Sequence, residues 1–401
     1  MPFLTFDSAE IPSAEDGGAK LASWLKGMRE RAPVWVDERT GAHHVFGYAE
    51  SKAVLYDHAH FSSDWSEFAP PQEDMPEYVN LGTVDPPAHR RLRTLVNQAF
   101  PQKEIAALEP RVRQIAEGLL DTVADREEFD LVDTLSNPLP ALVVAELLGV
   151  PFEDQPMFRR WMEDAFNSFD NPIGDLSDVQ VADVVVDNLR ALQEYMLDQV
   201  ARRRAQPRDD LISRLLAAEV DGDRLSDMEA YGMASAILMG GQISSTVLLG
   251  TALFTFEEEP EAEAALRADR SLIPRAVEEV LRYRPPVMLA HRLVKPGATV
   301  DGAPIPPGIA VVPWIMSANR DPAQFTSPES FDVRRTPNPH LSWGHGVHYC
   351  LGALLGRIEA KVALDLLFTR YSTIKCLDPV FHTTPGVLGI KGTSLSVHHA
   401  A

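Results

Sequence analysis

Cysteine is scarce in this chain of 401 residues, occurring only as Cys350 and Cys376. Two cysteines cannot form a disulfide scaffold, and they suit a reducing compartment. Basic charge is also short: 37 Lys+Arg stand against 58 Asp+Glu, a formal charge of −21. A field of that sign repels phosphate backbones and argues against nucleic-acid binding. The opening segment, MPFLTFDSAEIPSAEDGG, has no basic start leading into an apolar run, so no export signal is read there and a cytoplasmic location is expected. The usual glycine-rich nucleotide loop, HExxH and GxSxG are all missing, which removes the common signatures of nucleotide binding, zinc proteolysis and serine hydrolysis.

What is present is the balance of a globular protein, 45% hydrophobic and 24% charged. From Ala230 to Phe256 no charged residue occurs, a run long enough to span a bilayer. Ser235, Gln242, Ser244, Ser245, Thr246 and Thr251 interrupt it, however, and Glu257, Glu258 and Glu259 follow where a Lys/Arg cluster would anchor a span. A helix buried all round in a large core fits better, and no membrane association is expected.

Apolar spacings of three and four mark helical stretches at Leu95–Ala124, Ala141–Val150, Val179–Arg204, Asp210–Glu219 and Ala353–Arg370. Ser226 followed by Glu229 reads as a capping box opening the uncharged helix. Pro260–Leu266 and Ser271–Tyr283 extend the series until Pro285-Pro286 stops it. Between 286 and 315, Val-rich runs are broken by Gly302, Pro304, Pro306, Pro307 and Gly308, the texture of short strands and turns. No repeat or linker divides the chain. The expectation is one large, mainly α domain over 1–401 with a small β portion: a helix-rich core at about 85–285 and 318–371, and strand-rich parts at about 33–46, 286–315 and 373–398. The loop Ser62–Thr83, acidic and dotted with Trp65, Phe68 and Tyr78, reads equally as a lid or as an anchored surface loop.

The most distinctive segment is Trp343-Gly344-His345-Gly346-Val347-His348-Tyr349-Cys350-Leu351-Gly352. Cys350 ends a glycine-rich turn just before a helix, where amide N–H groups favour a thiolate and hence a metal ligand. The glycines let backbone press against a flat cofactor. This segment resembles the haem-binding loop of cytochromes P450, an aromatic followed by Gly-x-Gly-x-His-x-Cys-x-Gly. Glu279-Val280-Leu281-Arg282 is similar to the family's Glu-x-x-Arg. Asp85-Pro86-Pro87 with His89 and Arg93 resembles its Asp-Pro-Pro-x-His-x-x-x-Arg helix, and Pro337-Asn338-Pro339-His340 its approach to the cysteine. The motifs fall in family order over residues 85–359, so the chain is identified as a member of that family, with its fold and haem b as cofactor.

The resemblance implies specific roles. Cys350 would be the axial thiolate on iron, whose electron donation favours O–O cleavage. His89, Arg93, Arg292 and His340 would bind haem propionates, and Trp343 and Gly344 would line the same cofactor. Glu279, Arg282 and Arg335 would be structural, pinning the loop before the cysteine. Met239-Gly240-Gly241-Gln242-Ile243-Ser244 resembles the helix crossing the distal haem face, with Gly241 where that helix opens. Its usual order is small-Gly-x-acid-Thr, and here Ile243 holds the acid position and Ser244 that of the threonine. The acid ordinarily helps proton delivery, which isoleucine cannot do. Ser244, Gln242, ordered water or a substrate hydroxyl would carry protons instead. Trp343 replaces the usual phenylalanine. It is either an aromatic exchange with repacking or an indole N–H donor to the thiolate or a propionate, and a bond to the sulfur would raise the reduction potential.

The implied reaction inserts one oxygen atom from dioxygen into a hydrophobic small molecule, in natural-product biosynthesis or catabolism. Phe68, Ile237, Gly240, Val287, Met288, Leu289 and Leu388 would contact that substrate. Electrons would come from NAD(P)H through a ferredoxin reductase and ferredoxin to a monomer, with Arg90, Arg91 and Arg357 as a local basic patch for the acidic donor. Because of Ile243, two other readings stay open: oxidative coupling, peroxide-driven or non-oxygenating haem chemistry, and a non-catalytic haem-binding module that recruits a partner.

Overall fold

The computed structural model describes residues 11–66, 79–151, 154, 157, 161, 179–383 and 386–400. Helix α1 (Ala19–Arg31) and the strand pair β1 (Val34–Val36) and β2 (His43–Val45) lead into α2 (Tyr48–Tyr56) and β3 (Phe61–Ser62). Helices α3 (Ala88–Ala99), α4 (Glu109–Asp121) and α5 (Pro138–Leu148) follow, with β4 (Glu128–Asp130) before α5. The helical spacing over Leu95–Ala124 is thus not one helix. Pro101 lacks an N–H and cannot continue α3, so the chain turns there and restarts.

Next come α6 (Val179–Ala205), α7 (Leu211–Ala217), the hairpin of β5 (Glu219–Val220) and β6 (Asp223–Arg224), and the central α8 (Asp227–Glu258). The capping box at its start is real: Glu229 N donates to Ser226 Oγ at 3.1 Å, and Ser226 N donates to Glu229 Oε2 at 2.9 Å. Helix α8 passes through the middle of the protein against α5, α6 and α11 (Ala353–Arg370). Leu238, Leu248, Leu249 and Leu253 of α8 share one core with Val144, Leu148, Met196, Leu364 and Leu367. Each such side chain contributes about 2 kcal/mol by leaving water. Among the described residues α8 is the one helix long and apolar enough to cross a membrane, and 61% of its apolar window is buried within the protein.

Helices α9 (Pro260–Ala268) and α10 (Ile273–Tyr283) precede the strand-rich part. In α10, Ile273, Ala276, Val277, Val280 and Leu281 form the buried face, and the helix stops before Pro285-Pro286. Strands β7 (Arg292–Val294), β8 (Thr299–Val300), β9 (Ala303–Pro304) and β10 (Ala310–Pro313) come next. The main sheet runs β1-β2-β10-β7-β3, with β10 parallel to β2 and the other pairs antiparallel. Its register sets Arg292 opposite Val311 at the start of β7. The loop 319–352 then leads into α11, and β11 (Tyr371–Phe381) and β12 (Ile390–His399) close a second sheet with β4. Glycines with positive φ at 344 and 346 shape that loop.

Candidate active site

The loop before Cys350 is fixed from below by a buried charge cluster. Arg282 and Glu279, both fully buried on α10, form a two-pronged pair with Nε–Oε2 and Nη2–Oε1 each at 2.8 Å. The other donors of Arg282 reach Asn319 O at 3.0 Å, Pro328 O at 2.7 Å and Ser330 O at 2.8 Å. Glu279 also accepts from Arg335 Nε at 3.0 Å, Asn338 Nδ2 at 3.1 Å and Asp332 N at 2.9 Å. Every member has partners, the condition under which a buried ion pair holds a unique geometry.

Above this base Cys350 N donates to Trp343 O at 2.8 Å, closing the loop. A side chain on Gly346 would bring its Cβ within 3.1 Å of Tyr56 Cα, so only glycine lets the loop lie on α2. Burial pushes the Cys350 thiol up; the amides of Gly352 and Ala353 and the charges of Arg93 and Arg357 act the other way. The sulfur therefore faces the start of α11, among donors that favour an anion.

To one side lie His89, Arg93 and Arg292. His89 on α3 is buried, with its Nε2 unpartnered, and burial together with His348 and Arg93 lowers its pKa to about 4. Arg93 Nη1 donates to Tyr349 O at 3.0 Å. Arg292 donates Nη1 to His291 O at 2.7 Å, and among the described residues no carboxylate comes within ion-pair distance of it. Burial lowers its pKa, with Asp85 opposing. A largely enclosed guanidinium without a carboxylate is an anion seat.

The histidine brought to this group is His348, not His340. His348 packs its ring 4.5 Å from that of His89, donates its Nδ1–H to Leu81 O at 3.1 Å, and lies 3.7 Å from Asp85 Oδ1 through Nε2. Asp85 also takes Ser63 N at 3.1 Å, Lys295 Nζ at 2.9 Å and the Ser62 hydroxyl. His340 is committed elsewhere: its Nε2 meets Glu278 Oε2 at 3.1 Å, beside Arg357, whose Nε and Nη2 reach the same carboxylate at 2.7 and 2.9 Å. Burial raises Glu278, but Arg357 and His340 outweigh it and hold it at about 2. The sequence signal for His348 was its place two residues before the cysteine.

On α8, Ser244 Oγ donates back to Gly240 O at 3.2 Å, and Gly240 is exposed, with open space where a Cβ would stand. Gln242 does not share that face. It is buried, and its Nε2 donates to Asn137 O at 3.0 Å and to Asn137 Oδ1, so it ties α8 to the start of α5. A Cβ on Gly241 would meet Val144 Cγ2 at 3.1 Å, a packing role on the same side. Ser245 Oγ donates to Glu359 Oε2 at 2.7 Å, and complete burial raises Glu359 to about 8. Sequence reasoning missed this acid; its signal was a lone glutamate on the apolar face of α11.

The expected substrate residues divide. Val287 is 49% exposed, Ile237 is half-buried and Gly240 is open. Met288, Leu289 and Leu388 are instead core, packed with Leu21, Leu25, Phe46 and Trp314 because the 386–388 segment pairs with 286–288. Phe68 lies outside the described residues. The expected basic patch is largely neutralised: Arg91 is paired with Asp223 and Glu229, and Arg357 with Glu278. Trp343 Nε1 is buried and, among the described residues, makes no hydrogen bond, to the Cys350 sulfur or otherwise.

Among the described residues, a thiol beside helix-start amides, a buried imidazole with one unpartnered nitrogen and an arginine without a carboxylate fit a flat group that carries both a metal and acidic arms. The cytochrome P450 family model matches residues 32–389. The chain is 41% identical over 388 residues to cyclomarin C epoxidase of Salinispora arenicola, covering 96% of this chain and 98% of that one. It is 43% identical over 367 residues to erythromycin C-12 hydroxylase of Saccharopolyspora erythraea, covering 91% and 90%. The solved ligand-free cytochrome P450 TbtJ1 superposes with a TM-score of 0.88 at 39% identity, covering 96% of this chain and all of that one. The chain belongs to the cytochrome P450 family. It is a haem-dependent monooxygenase of the bacterial type, akin to the hydroxylases and epoxidases of secondary metabolism.

Proposed function

We propose that this enzyme hydroxylates or epoxidises a bulky, predominantly apolar natural product, using haem b held by Cys350 as thiolate ligand. The observation that carries the reading is the Cys350 loop: a sulfur facing the amides of Gly352 and Ala353, closed by the bond from its own amide to Trp343 O and pinned by Arg335 to the buried Glu279–Arg282 pair. Bound haem supplies dioxygen activation, with two electrons and two protons consumed as one oxygen atom enters the substrate and the other leaves as water.

The chain's own residues bind, orient and move protons. Arg292, Arg93, His89 and His348 take the propionates, with Asp85 orienting His348. Ser244 presents a hydroxyl at the open face of α8, where it can hand on a proton, while Ile243 and Gln242 cannot. Ile237, Gly240 and Val287 give the substrate an apolar, roomy wall. Relatives named for cyclomarin C and erythromycin support a large substrate. Electrons arrive from a ferredoxin and its NAD(P)H-dependent reductase, and the enzyme works as a cytoplasmic monomer. The commitment of Gln242 to Asn137 also favours a second reading, in which weak protonation turns the same site to oxidative coupling or peroxide-driven oxidation.

The test is a visible-spectrum titration of the ferric protein with macrolide, peptide, terpenoid and aromatic compounds. A saturable shift of the Soret band to shorter wavelength, followed by oxygenated product with ferredoxin, reductase and NAD(P)H, supports the reading. A Soret band that no compound moves contradicts it.

A further inference from the structure

Trp343 carries a donor that a plain aromatic spacer would not need. Its indole Nε1 is buried and has no hydrogen-bond partner among the described residues. A buried N–H left unpaired is destabilising, and buried tryptophans ordinarily find an acceptor.

The indole also sits in a specific seat. Cys350 N donates to Trp343 O at 2.8 Å, so the two residues face one another across the turn. Gly356 N donates to Gly352 O at 3.0 Å, which places these glycines one turn apart on the same face of α11. A Cβ on Gly352 would lie 4.0 Å from Cys350 Sγ, and a Cβ on Gly356 would lie 3.3 Å from Trp343 Cη2. The sulfur and the Cζ3–Cη2 edge of the indole therefore lie against glycines one helical turn apart. Gly356 has no positive φ that would call for glycine, and a glycine inside a helix is less favourable than alanine. The two atoms nearest to that Cβ both belong to the indole, Cη2 at 3.3 Å and Cζ3 at 3.7 Å, ahead of Ser245 Oγ at 3.8 Å. What its missing side chain provides is room for the indole. Arg357 closes the arrangement, its guanidinium 4.7 Å from the ring centre and held by Glu278.

We infer that Trp343 is a tuning residue whose Nε1–H donates to the Cys350 sulfur when that sulfur is the haem ligand, with Gly356 as the space that admits the indole. The inference rests on the proposed role of Cys350. A hydrogen bond to the ligating sulfur withdraws electron density from it, weakens its donation to iron and raises the reduction potential.

The experiment compares the holoenzyme with Trp343→Phe and with a variant carrying β-(3-benzothienyl)alanine at 343, which keeps the bicyclic shape and replaces the N–H by sulfur. The readouts are the reduction potential and the iron–sulfur stretching frequency from resonance Raman spectra. Both variants are expected to show a lower potential and a higher frequency than wild type. Gly356→Ala should displace the indole and shift both readouts the same way, and in combination with Trp343→Phe should add nothing further. A benzothienylalanine enzyme matching wild type in both readouts would overturn the inference, even if Trp343→Phe alone differs. A wild-type enzyme without a thiolate signature would instead remove the Cys350 role on which the inference stands.

Discussion

Ser245 on the central helix and Glu359 on the helix that follows the cysteine are joined by a 2.7 Å hydrogen bond inside the protein. Among the described residues the other carboxyl oxygen, Oε1, is buried without a partner, and no cation offsets the burial. The acid is consequently neutral near pH 7, raised to about 8 from an ordinary 4.5.

This raised value has a measurable consequence. The folded protein holds a proton on Glu359 that the unfolded chain releases, so stability is greatest below pH 4.5 as far as this group is concerned and declines as pH rises to about 8. The decline has a limiting slope of about 1.4 kcal/mol per pH unit. Glu359→Gln removes it. Urea unfolding of the holoenzyme at pH 6, 7 and 8 should show the variant gaining on wild type as pH increases. Parallel pH dependences would contradict the assignment.

Ser244 carries the one hydroxyl of the Gln242-Ile243-Ser244 trio, partly exposed beside the open Gly240. Ser244→Ala should lower product formed per NAD(P)H by about 100-fold, the lower end of the range for losing a positioned proton donor, and raise peroxide release. Product and peroxide yields measured against NAD(P)H consumption check this. Unchanged coupling would take Ser244 out of the proton path.

His348 and His340 should separate cleanly. His348→Ala removes the ring beside His89 and should speed haem transfer to apomyoglobin by about 10-fold, the cost of one charge-assisted hydrogen bond. His340→Ala leaves Glu278 paired with Arg357 and should cost about 1 kcal/mol of stability while haem transfer stays near the wild-type rate. Equal haem loss from both variants would contradict this division.

What could be read in the sequence followed locality. The Ser226–Glu229 cap and the Ala353–Arg370 helix depend on neighbours within a turn or on one helical period, and both stand in the structure as read. Pro101 was a visible breaker whose effect apolar spacing alone concealed. Gln242 was misassigned although the geometry was available, since two residues along a helix from Ser244 is about 200° of rotation. Other features depend on distant contacts. Arg91 meets its carboxylates 132 and 138 residues away, Gln242 finds Asn137, and Glu359 is buried only because α8 crosses α11. Met288, Leu289 and Leu388 looked like pocket lining because apolar residues near a site and apolar residues of a core have the same chemistry; only packing distinguishes them.

The carbon monoxide spectrum of the reduced enzyme, wild type against Cys350→Ser, bears most directly on the whole account. Wild type should give the strongly red-shifted Soret band of a thiolate-ligated haem, and Cys350→Ser should lose that band while the apoprotein keeps its helical content. A serine variant that retains the thiolate-type band, or a wild-type protein that binds haem without one, would contradict the assignment of Cys350.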